Sequence, residues 1–310
     1  MNAVTIEREE RDIAPYAALV AVQVFFGSLP VIGKVVLKVI PALGLVGFRI
    51  AITAIVFAIV QSVRGRFWLR DNRDYWRLAV LSLFGVTFNQ LLFISGLSLT
   101  KAANTSLLAS TIPIFTILIA SALGFEKLRA IKVIGISLAL LGALFLIDPR
   151  NASFSSQTTM GDLLIVINSF SYGIYVATSK EVITRNGAFR SMMWVFIFAA
   201  VICVPIGGFA MRDVELQTIS SNIWFLMLYI GIGATAAPYL LNAWALARVD
   251  PSTVAIFVYL QPLIGFLLAV VFLGEAIDTK FALAAILIFI GVFLTSRQPQ
   301  FMKPDPELSV

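Results

Sequence analysis

Histidine is absent from the chain of 310 residues, and cysteine occurs once, as Cys203. The lack of histidine excludes Ser-His-Asp and Cys-His catalysis, zinc sites with histidine ligands and proton relays through imidazole. A single cysteine cannot form an intramolecular disulfide or a thiolate metal cluster. Because the sequence also lacks a nucleophile–base pair, it predicts neither an enzyme nor a bound cofactor or metal.

Charged side chains are also scarce, at 13% of the residues, whereas 59% of the residues are hydrophobic. A soluble domain carries roughly 25% charged residues and could not bury so much apolar surface. The chain is therefore predicted to lie in a lipid bilayer. Its net charge of +6 comes with basic residues placed in short loops, which indicates membrane orientation and not a nucleic-acid partner.

Ten apolar stretches, each about long enough to cross a bilayer as a helix, follow one another through short loops. They cover roughly 13–37, 42–62, 75–98, 102–123, 130–147, 159–183, 189–210, 222–246, 251–273 and 278–296. The longest linker, "DPRNASFSSQTTMGD", follows the fifth stretch. Residues 13–148 and 159–296 therefore form two predicted halves of five spans each.

The loops also predict an orientation. Most of the 23 Lys and Arg residues fall on one side if the N-terminus is placed in the cytoplasm. Because cytoplasmic loops carry the excess of positive charge, both termini are expected there. The N-terminal segment "MNAVTIEREERDIAP" lacks the apolar core and the cleavage site of a signal peptide, so the first span is expected to be retained as an anchor.

Several residues recur in the two halves at a nearly constant spacing. The pairs at 146 residues are Gly27–Gly173, Lys34–Lys180 and Gly85–Gly231, and those at 149 residues are Pro113–Pro262 and Glu126–Glu275. Matches in the same order indicate duplication, with three residues inserted between the eighth and ninth spans. Because five is odd, the second half is expected to enter the membrane upside down, as in secondary transporters.

The segments "GLSLTKAANTSLLASTIPIFTILIASALGFEK" and "AWALARVDPSTVAIFVYLQPLIGFLLAVVFLGE" resemble the tandem units of the drug/metabolite transporter superfamily, EamA branch. The "FGSLPVIGK" of the first span and the Phe48–Arg49 pair of the second also fit. Within that family the chain is most similar to amino-acid exporters of the YddG type. It departs from a symmetric pattern because the seventh span has "MWVF" where the second has "GFRI". The resemblance implies ten helices around a central cavity, which export small metabolites across the bacterial inner membrane by alternating access.

Polar side chains near the middle of the predicted spans are costly in lipid, so they are expected to face protein or water. The set predicted to line a cavity and bind substrate comprises Arg49, Asn89, Gln90, Asn168, Ser171, Tyr172, Tyr175, Tyr239, Asn242, Tyr259 and Gln261. Aromatic rings offer stacking faces and amides can bond a zwitterion, which favours a neutral or aromatic amino acid as substrate. The alternative for each residue is hydrogen bonding between neighbouring helices.

Two prolines within the predicted spans, Pro113 and Pro262, are candidate hinges. Proline removes one helix hydrogen bond, and its recurrence at equivalent positions favours a hinge beside the cavity over a static kink. Charged residues near the span ends predict two gates. These are Lys34 with Glu275 on the outer side and Lys180 with Glu126 on the inner side. Alternatively, each charge reaches headgroups or water alone.

Carboxylates are missing from the middle of every predicted span. Proton-coupled carriers commonly use a buried carboxylate, so facilitated or weakly coupled export is favoured. Purines, drugs and phosphorylated metabolites remain alternative substrates, although a phosphorylated one would be expected to require more buried basic residues. A channel is disfavoured because no filter loop is present. The expected partners are the small-molecule substrate and membrane lipid, and the expected state is a monomer.

Overall fold

A computed structural model of the chain describes residues 13–100, 102–147, 158–264, 267 and 279–296, and all regular structure in these residues is helical. The predicted all-α class is therefore confirmed. Six helical stretches in the described part are long and apolar enough to cross a bilayer, and four shorter apolar helices accompany them. The count of ten spans and the inverted orientation of the second half stay predictions.

The helices fall in the sequence order of the predicted spans. The first half contains α1 (Ala14–Val36), α2 (Ala42–Arg64), α3 (Asn72–Ser82), α4 (Phe88–Leu99), α5 (Ala102–Ala109), α6 (Ile112–Ala122) and α7 (Ala130–Ile147). The second contains α8 (Thr159–Thr178), α9 (Lys180–Asn186), α10 (Ala188–Met211), α11 (Ser221–Gly231), α12 (Ala237–Leu246), α13 (Pro251–Ile256) and α14 (Thr279–Ser296). Short π-helical segments at Leu83–Thr87 and Ile232–Ala236 join α3 to α4 and α11 to α12, and 3-10 turns cover Leu216–Thr218 and Phe257–Tyr259.

Two compact units divide the chain, and neither coincides with a predicted sequence half. The first unit is formed by residues 1–87 and 179–249, and the second by residues 88–178 and 250–310. Each unit therefore combines helices from both halves of the sequence. The predicted halves, 13–148 and 159–296, are defined by sequence similarity and stay a prediction. The packing units are a separate division of the chain, and each takes helices from both halves.

In the first unit, α2 packs along α10 and α1 packs against α12. The contact between α2 and α10 depends on two facing glycines. A Cβ atom added to Gly47 would lie 2.7 Å from the Cα atom of Gly207 and 2.9 Å from the carbonyl oxygen of Cys203. Small residues that let two backbones approach are a common means of helix association in membranes.

In the second unit, α7 packs along α14, and α8 packs against both α4 and α6. Glycines again lie at the closest approach, because a Cβ atom added to Gly291 would overlap the carbonyl oxygen of Gly135. Both units thus contain a pair of helices that approach at facing glycines, α2 with α10 or α7 with α14, and in each pair the two members come from different halves of the sequence.

The two candidate hinges lie just after breaks in the helices and not in the middle of a helix. The predicted fourth span is divided at Ser110–Thr111, and Pro113 stands in the first turn of α6. There its missing N–H costs no hydrogen bond, because the first amides of a helix have no partner within it. Pro262 follows the 3-10 turn Phe257–Tyr259. Pro113 therefore stands at an interruption of its span, and a kink or a hinge at either break stays a prediction.

Candidate functional site

The first unit contains two π-helical segments, Leu83–Thr87 and Ile232–Ala236. The second segment begins and ends 149 residues after the first. A π segment widens the helix and interrupts the regular hydrogen-bond pattern, and such segments are frequent at functional sites. Their spacing makes Gly85 equivalent to Ala234. The spacing of the π segments therefore favours a match of Gly85 with Ala234 over one with Gly231, while the repeat and the position of its three inserted residues stay predictions.

Arg49 on α2 is fully buried, with 0% of its surface exposed, and it contacts the second π segment. Its Nε donates to the Oγ1 atom of Thr235 at 2.9 Å, and its Nη2 donates to the carbonyl oxygen of Ala234 at 3.3 Å. One turn along α2, Thr53 donates to the carbonyl oxygen of Gly231 at 2.9 Å. The sequence places an arginine and a threonine four residues apart, so that both reach the same irregular stretch of backbone.

The third donor group of Arg49, Nη1, is buried and has no hydrogen-bond partner among the described residues. None of the ion pairs in the described part of the chain involves this guanidinium. A buried cation without an anion is costly, so the environment of Arg49 favours binding of a negatively charged group. The alternative is a structural role, since the other two bonds fasten α2 to the π segment.

Tyr239 on α12 contacts the first π segment in a corresponding manner. Its hydroxyl donates to the carbonyl oxygen of Gly85 at 2.9 Å, and its ring packs edge-on against Phe26 and Phe196 at centroid distances of 5.8 Å and 5.1 Å. Asn242, nearly one turn further on, is also buried. Both π segments of this unit are thus contacted by a residue of the predicted substrate set, Arg49 or Tyr239.

In the second unit, the predicted amide residues contact one another. Asn168 on α8 donates through Nδ2 to the backbone carbonyl oxygen of Asn89 on α4 at 2.8 Å. Gln90 donates through Nε2 to the Oδ1 atom of Asn89 at 3.2 Å. The bond from Asn168 joins α8 to α4, which is the alternative that the sequence left open for such residues, whereas the bond from Gln90 lies within α4. Their role in binding substrate stays a prediction.

The aromatic members of the predicted set in the second unit are almost completely buried. Tyr172 and Tyr175 lie on α8 with ring centroids 5.8 Å apart, and Ser171 beside them is buried too. Tyr259, with 0% exposure, has a buried hydroxyl without a hydrogen-bond partner among the described residues. Gln261 is half-buried. The hydroxyl of Tyr259 is therefore an available donor inside this unit.

Glu126, predicted to pair with Lys180, takes part in a buried network inside the second unit. Lys132 lies with its Nζ atom 2.5 Å from Oε1 of Glu126 and 2.8 Å from Oδ2 of Asp250. The backbone N–H of Ser252 donates to Oε2 of Glu126 at 3.1 Å, and the hydroxyl of Ser252 donates to Oε1. Sequence reasoning missed this network because it used Lys132, at the start of the fifth predicted span, only as an indicator of membrane orientation, and because Asp250 falls in a predicted loop.

The remaining gate residues are arranged as follows. Lys180, in the first unit, donates from Nζ to the carbonyl oxygen of Val249 at 2.8 Å. Lys34 is half-buried near the end of α1. Glu275 lies outside the described residues. Both gate pairs stay predictions. For the inner pair to form, Glu126 must either give up a hydrogen bond that it makes to Lys132 or Ser252, or accept one more from Lys180.

Two further buried carboxylates were not singled out by the sequence. Asp162, in the first turn of α8, accepts a hydrogen bond from Thr100 at 2.6 Å. Asp74, in the first turn of α3, accepts bonds from Nε of Arg185 at 2.9 Å and from Nδ2 of Asn186 at 2.7 Å. Each acid is within the first turn of a helix, where the positive end of the helix dipole favours a carboxylate. Their position just before an apolar run was the available indication.

Comparison with known proteins identifies relatives across nearly the whole chain. The model of the EamA-like transporter family matches residues 14–148 and 159–297. An uncharacterized transporter of Archaeoglobus fulgidus is 27% identical over 75% of this chain and 81% of its own length. A WAT1-related protein of Arabidopsis thaliana is 26% identical over 72% of this chain and 67% of its own length.

A further relative and a solved structure also match most of the chain. The uncharacterized transporter YetK of Bacillus subtilis is 22% identical over 94% of this chain and 90% of its own length. A solved crystal structure superposes with a TM-score of 0.75 and covers 93% of this chain and 97% of that chain. Because the two sequences are only 21% identical, this likeness shows the fold alone.

Proposed function

Since the chain belongs to the EamA-like transporter family, we propose that it exports neutral or aromatic amino acids and related small metabolites across the bacterial inner membrane by alternating access. Membrane transport is the function that the family shares by name with two of the relatives above, those of Archaeoglobus fulgidus and Bacillus subtilis. The substrate class, the direction and the mechanism are our proposal. A substrate of this class has a carboxylate, an ammonium group and an apolar side chain.

One observation carries the proposal, namely the buried Nη1 group of Arg49 that lacks a partner among the described residues. Arginine presents its donors in a rigid planar fork that suits a carboxylate. Because Nε and Nη2 are bonded to the second π segment, the guanidinium is fixed in position and Nη1 remains as a donor. A single fixed cation matches one carboxylate better than it matches a phosphate with two charges, which favours amino acids over phosphorylated metabolites.

Substitution of Arg49 tests this proposal. In proteoliposomes we expect Arg49→Gln to lower amino-acid uptake about tenfold, the loss of roughly one hydrogen bond to a charged group. Thr235→Val is the matched control, because it removes the bond at Nε and leaves Nη1 unchanged. If the two variants lose uptake equally, Arg49 acts by fastening α2 to the π segment and the proposal fails.

The substrate class is tested by an uptake panel of amino acids, purines and phosphorylated metabolites, with and without a pH gradient. We expect uptake of neutral or aromatic amino acids and little response to the gradient, because no carboxylate lies in the middle of a predicted span. Unlabelled substrate inside the vesicles should accelerate uptake of labelled substrate. Flux without such counterflow would indicate a channel instead of a carrier.

Membrane orientation is tested with fusion reporters in the loops. We expect a reporter at Gly65 to lie in the cytoplasm and one at Ser155 in the periplasm, because of the bias in basic residues. Gly65 is suited to insertion, since its φ is +82° and no heavy atom lies within 4 Å of a Cβ atom placed there. Two reporters on the same side would contradict both the predicted topology and the inverted second half.

A further inference from the structure

The first unit contains a cavity of about 730 Å³ that shares no residue with the predicted substrate set. It lies where α1 and α10 begin and where α2 and α12 end. We call it the arginine pocket, and its principal lining residues are Gln61, Arg64, Arg66, Phe189, Arg190 and Trp244. Its volume is within the range of about 300–1,000 Å³ that small-molecule sites occupy.

We propose that the arginine pocket binds a phosphate-bearing anion. Three guanidinium groups line it, and no carboxylate lines it within the described residues. Asp74, which accepts a hydrogen bond from the lining residue Asn186, is already paired with Arg185 at 2.9 Å. The positive charge of the pocket is therefore not neutralised by that acid. Arginine binds phosphate through two parallel hydrogen bonds, which makes a cluster of arginines suited to this anion.

Arg190 supplies the most specific evidence. Its Nη1 atom donates to the carbonyl oxygen of Trp68 at 3.3 Å, which fixes the side chain, while its Nε is buried without a partner among the described residues. An unbonded charged donor in a partly buried position is unfavourable until an acceptor arrives. An anion in the pocket would provide that acceptor.

The beginning of α10 adds donors from the backbone. Gly187, with φ of +84°, precedes the helix and leaves it without a side-chain cap. The first N–H groups of a helix have no acceptor within it, and the helix dipole is positive at this end. The residues that carry these first amides, 187–190, line the pocket. A helix N-terminus beside arginines is a recurrent arrangement for phosphate.

The arginine pocket also has an apolar side. The guanidinium of Arg64 stacks over the ring of Phe189 at 4.8 Å, and Leu240, Leu241 and Trp244 complete this wall. The ligand is therefore a phosphate ester with an apolar or aromatic portion. Two sources fit, an anionic phospholipid from the same leaflet or a soluble ester such as a nucleotide. The two are distinguished by separate arms of one experiment.

The first arm measures retention of phosphatidylglycerol and phosphatidylcholine by native mass spectrometry of the full chain in detergent. The second measures binding of ATP and inorganic pyrophosphate to the full chain in phosphatidylcholine nanodiscs. Both arms compare the parent with Arg64→Gln/Arg66→Gln and with Arg190→Gln. Arg64 and Arg66 are exposed, so the double variant is expected to fold even if Arg190→Gln folds poorly. Arg73→Gln, at an exposed arginine outside the pocket, is the matched control.

We expect the pocket variants to bind about tenfold more weakly in one arm, and the control to change by less than about twofold. A loss confined to phosphatidylglycerol supports a lipid ligand, and a loss confined to ATP or pyrophosphate supports a soluble phosphate-bearing anion. The proposal is overturned if parent and pocket variants bind alike in both arms, or if Arg73→Gln weakens binding equally. Because binding is the readout, failure here leaves the proposed transport function untouched.

Discussion

Replacement of Lys132 by methionine is expected to destabilise the protein by about 3–5 kcal/mol, because it leaves the carboxylate of Glu126 buried without its cation. The side chains of Lys132 and Glu126 are only 4% and 5% exposed, and their charged atoms lie 2.5 Å apart. Asp250 is 34% exposed and can be solvated in the variant. Thermal or denaturant-induced unfolding in detergent measures the change.

Two further variants determine whether charge is the cause. Lys132→Met/Glu126→Gln removes both buried charges and is expected to recover most of the lost stability, since a neutral pair needs no counterion. Lys127→Met removes an exposed lysine close by in the chain and should change stability by less than about 0.5 kcal/mol. A Lys132→Met variant as stable as Lys127→Met would show that the network is not a buried ion pair in solution.

This network bears on the predicted inner gate. Glu126 accepts bonds from Lys132 and from both the N–H and the hydroxyl of Ser252, so its two carboxylate oxygens are occupied. A further bond to Lys180 would add a second cation to the same carboxylate. The gate proposal therefore predicts that Glu126→Gln changes stability as well as conformational bias. Unfolding of Glu126→Gln measures the change in stability. Accessibility of a cysteine introduced at an outer-cavity position measures the change in conformational bias.

The helical architecture could be predicted because apolar runs about as long as a bilayer is thick have few alternatives. Breaks inside those runs were harder to predict. The division at Ser110–Thr111 lies two residues before Pro113, a position where the sequence alone does not distinguish a kink from a new helix. The two π segments, LFGVT and IGATA, share no composition that marks them in the sequence, so they could not be predicted from it.

The candidate site was predictable by residue type and less so by contact. A lone arginine in an apolar run indicates a special position, and Arg49 is indeed fully buried beside a π segment. The bond from Asn168 to Asn89 depends on which helices become neighbours, which single-sequence patterns do not specify. The network of Lys132 with Asp250 joins residues 118 positions apart, so it could not be inferred from local spacing.

Close packing of α2 on α10 leads to the second large expected effect, a loss of stability when a side chain is added at the contact. The adjacent glycines Gly207 and Gly208 of α10 provide the test. A Cβ atom added to Gly207 would lie 2.6 Å from the Cα atom of Gly47 and 3.0 Å from the carbonyl oxygen of Leu43, so the helices must separate. No heavy atom lies within 4 Å of a Cβ atom added to Gly208. The two positions share a helix and a residue type, and they differ in their neighbours.

We expect Gly207→Ala to destabilise the protein by about 1–3 kcal/mol, because the atoms in its way belong to backbone that cannot change rotamer. Gly208→Ala should be neutral or should stabilise by about 0.5–1 kcal/mol, the gain from replacing glycine within a helix. Unfolding of both variants in the same detergent gives the comparison directly. Equal stabilities would mean that α2 and α10 do not approach closely at Gly47, and the packing of the first unit would have to be revised at that point. A loss in Gly207→Ala alone, reproduced by Gly47→Ala on the opposite helix, would establish the contact between the two backbones as a determinant of the fold.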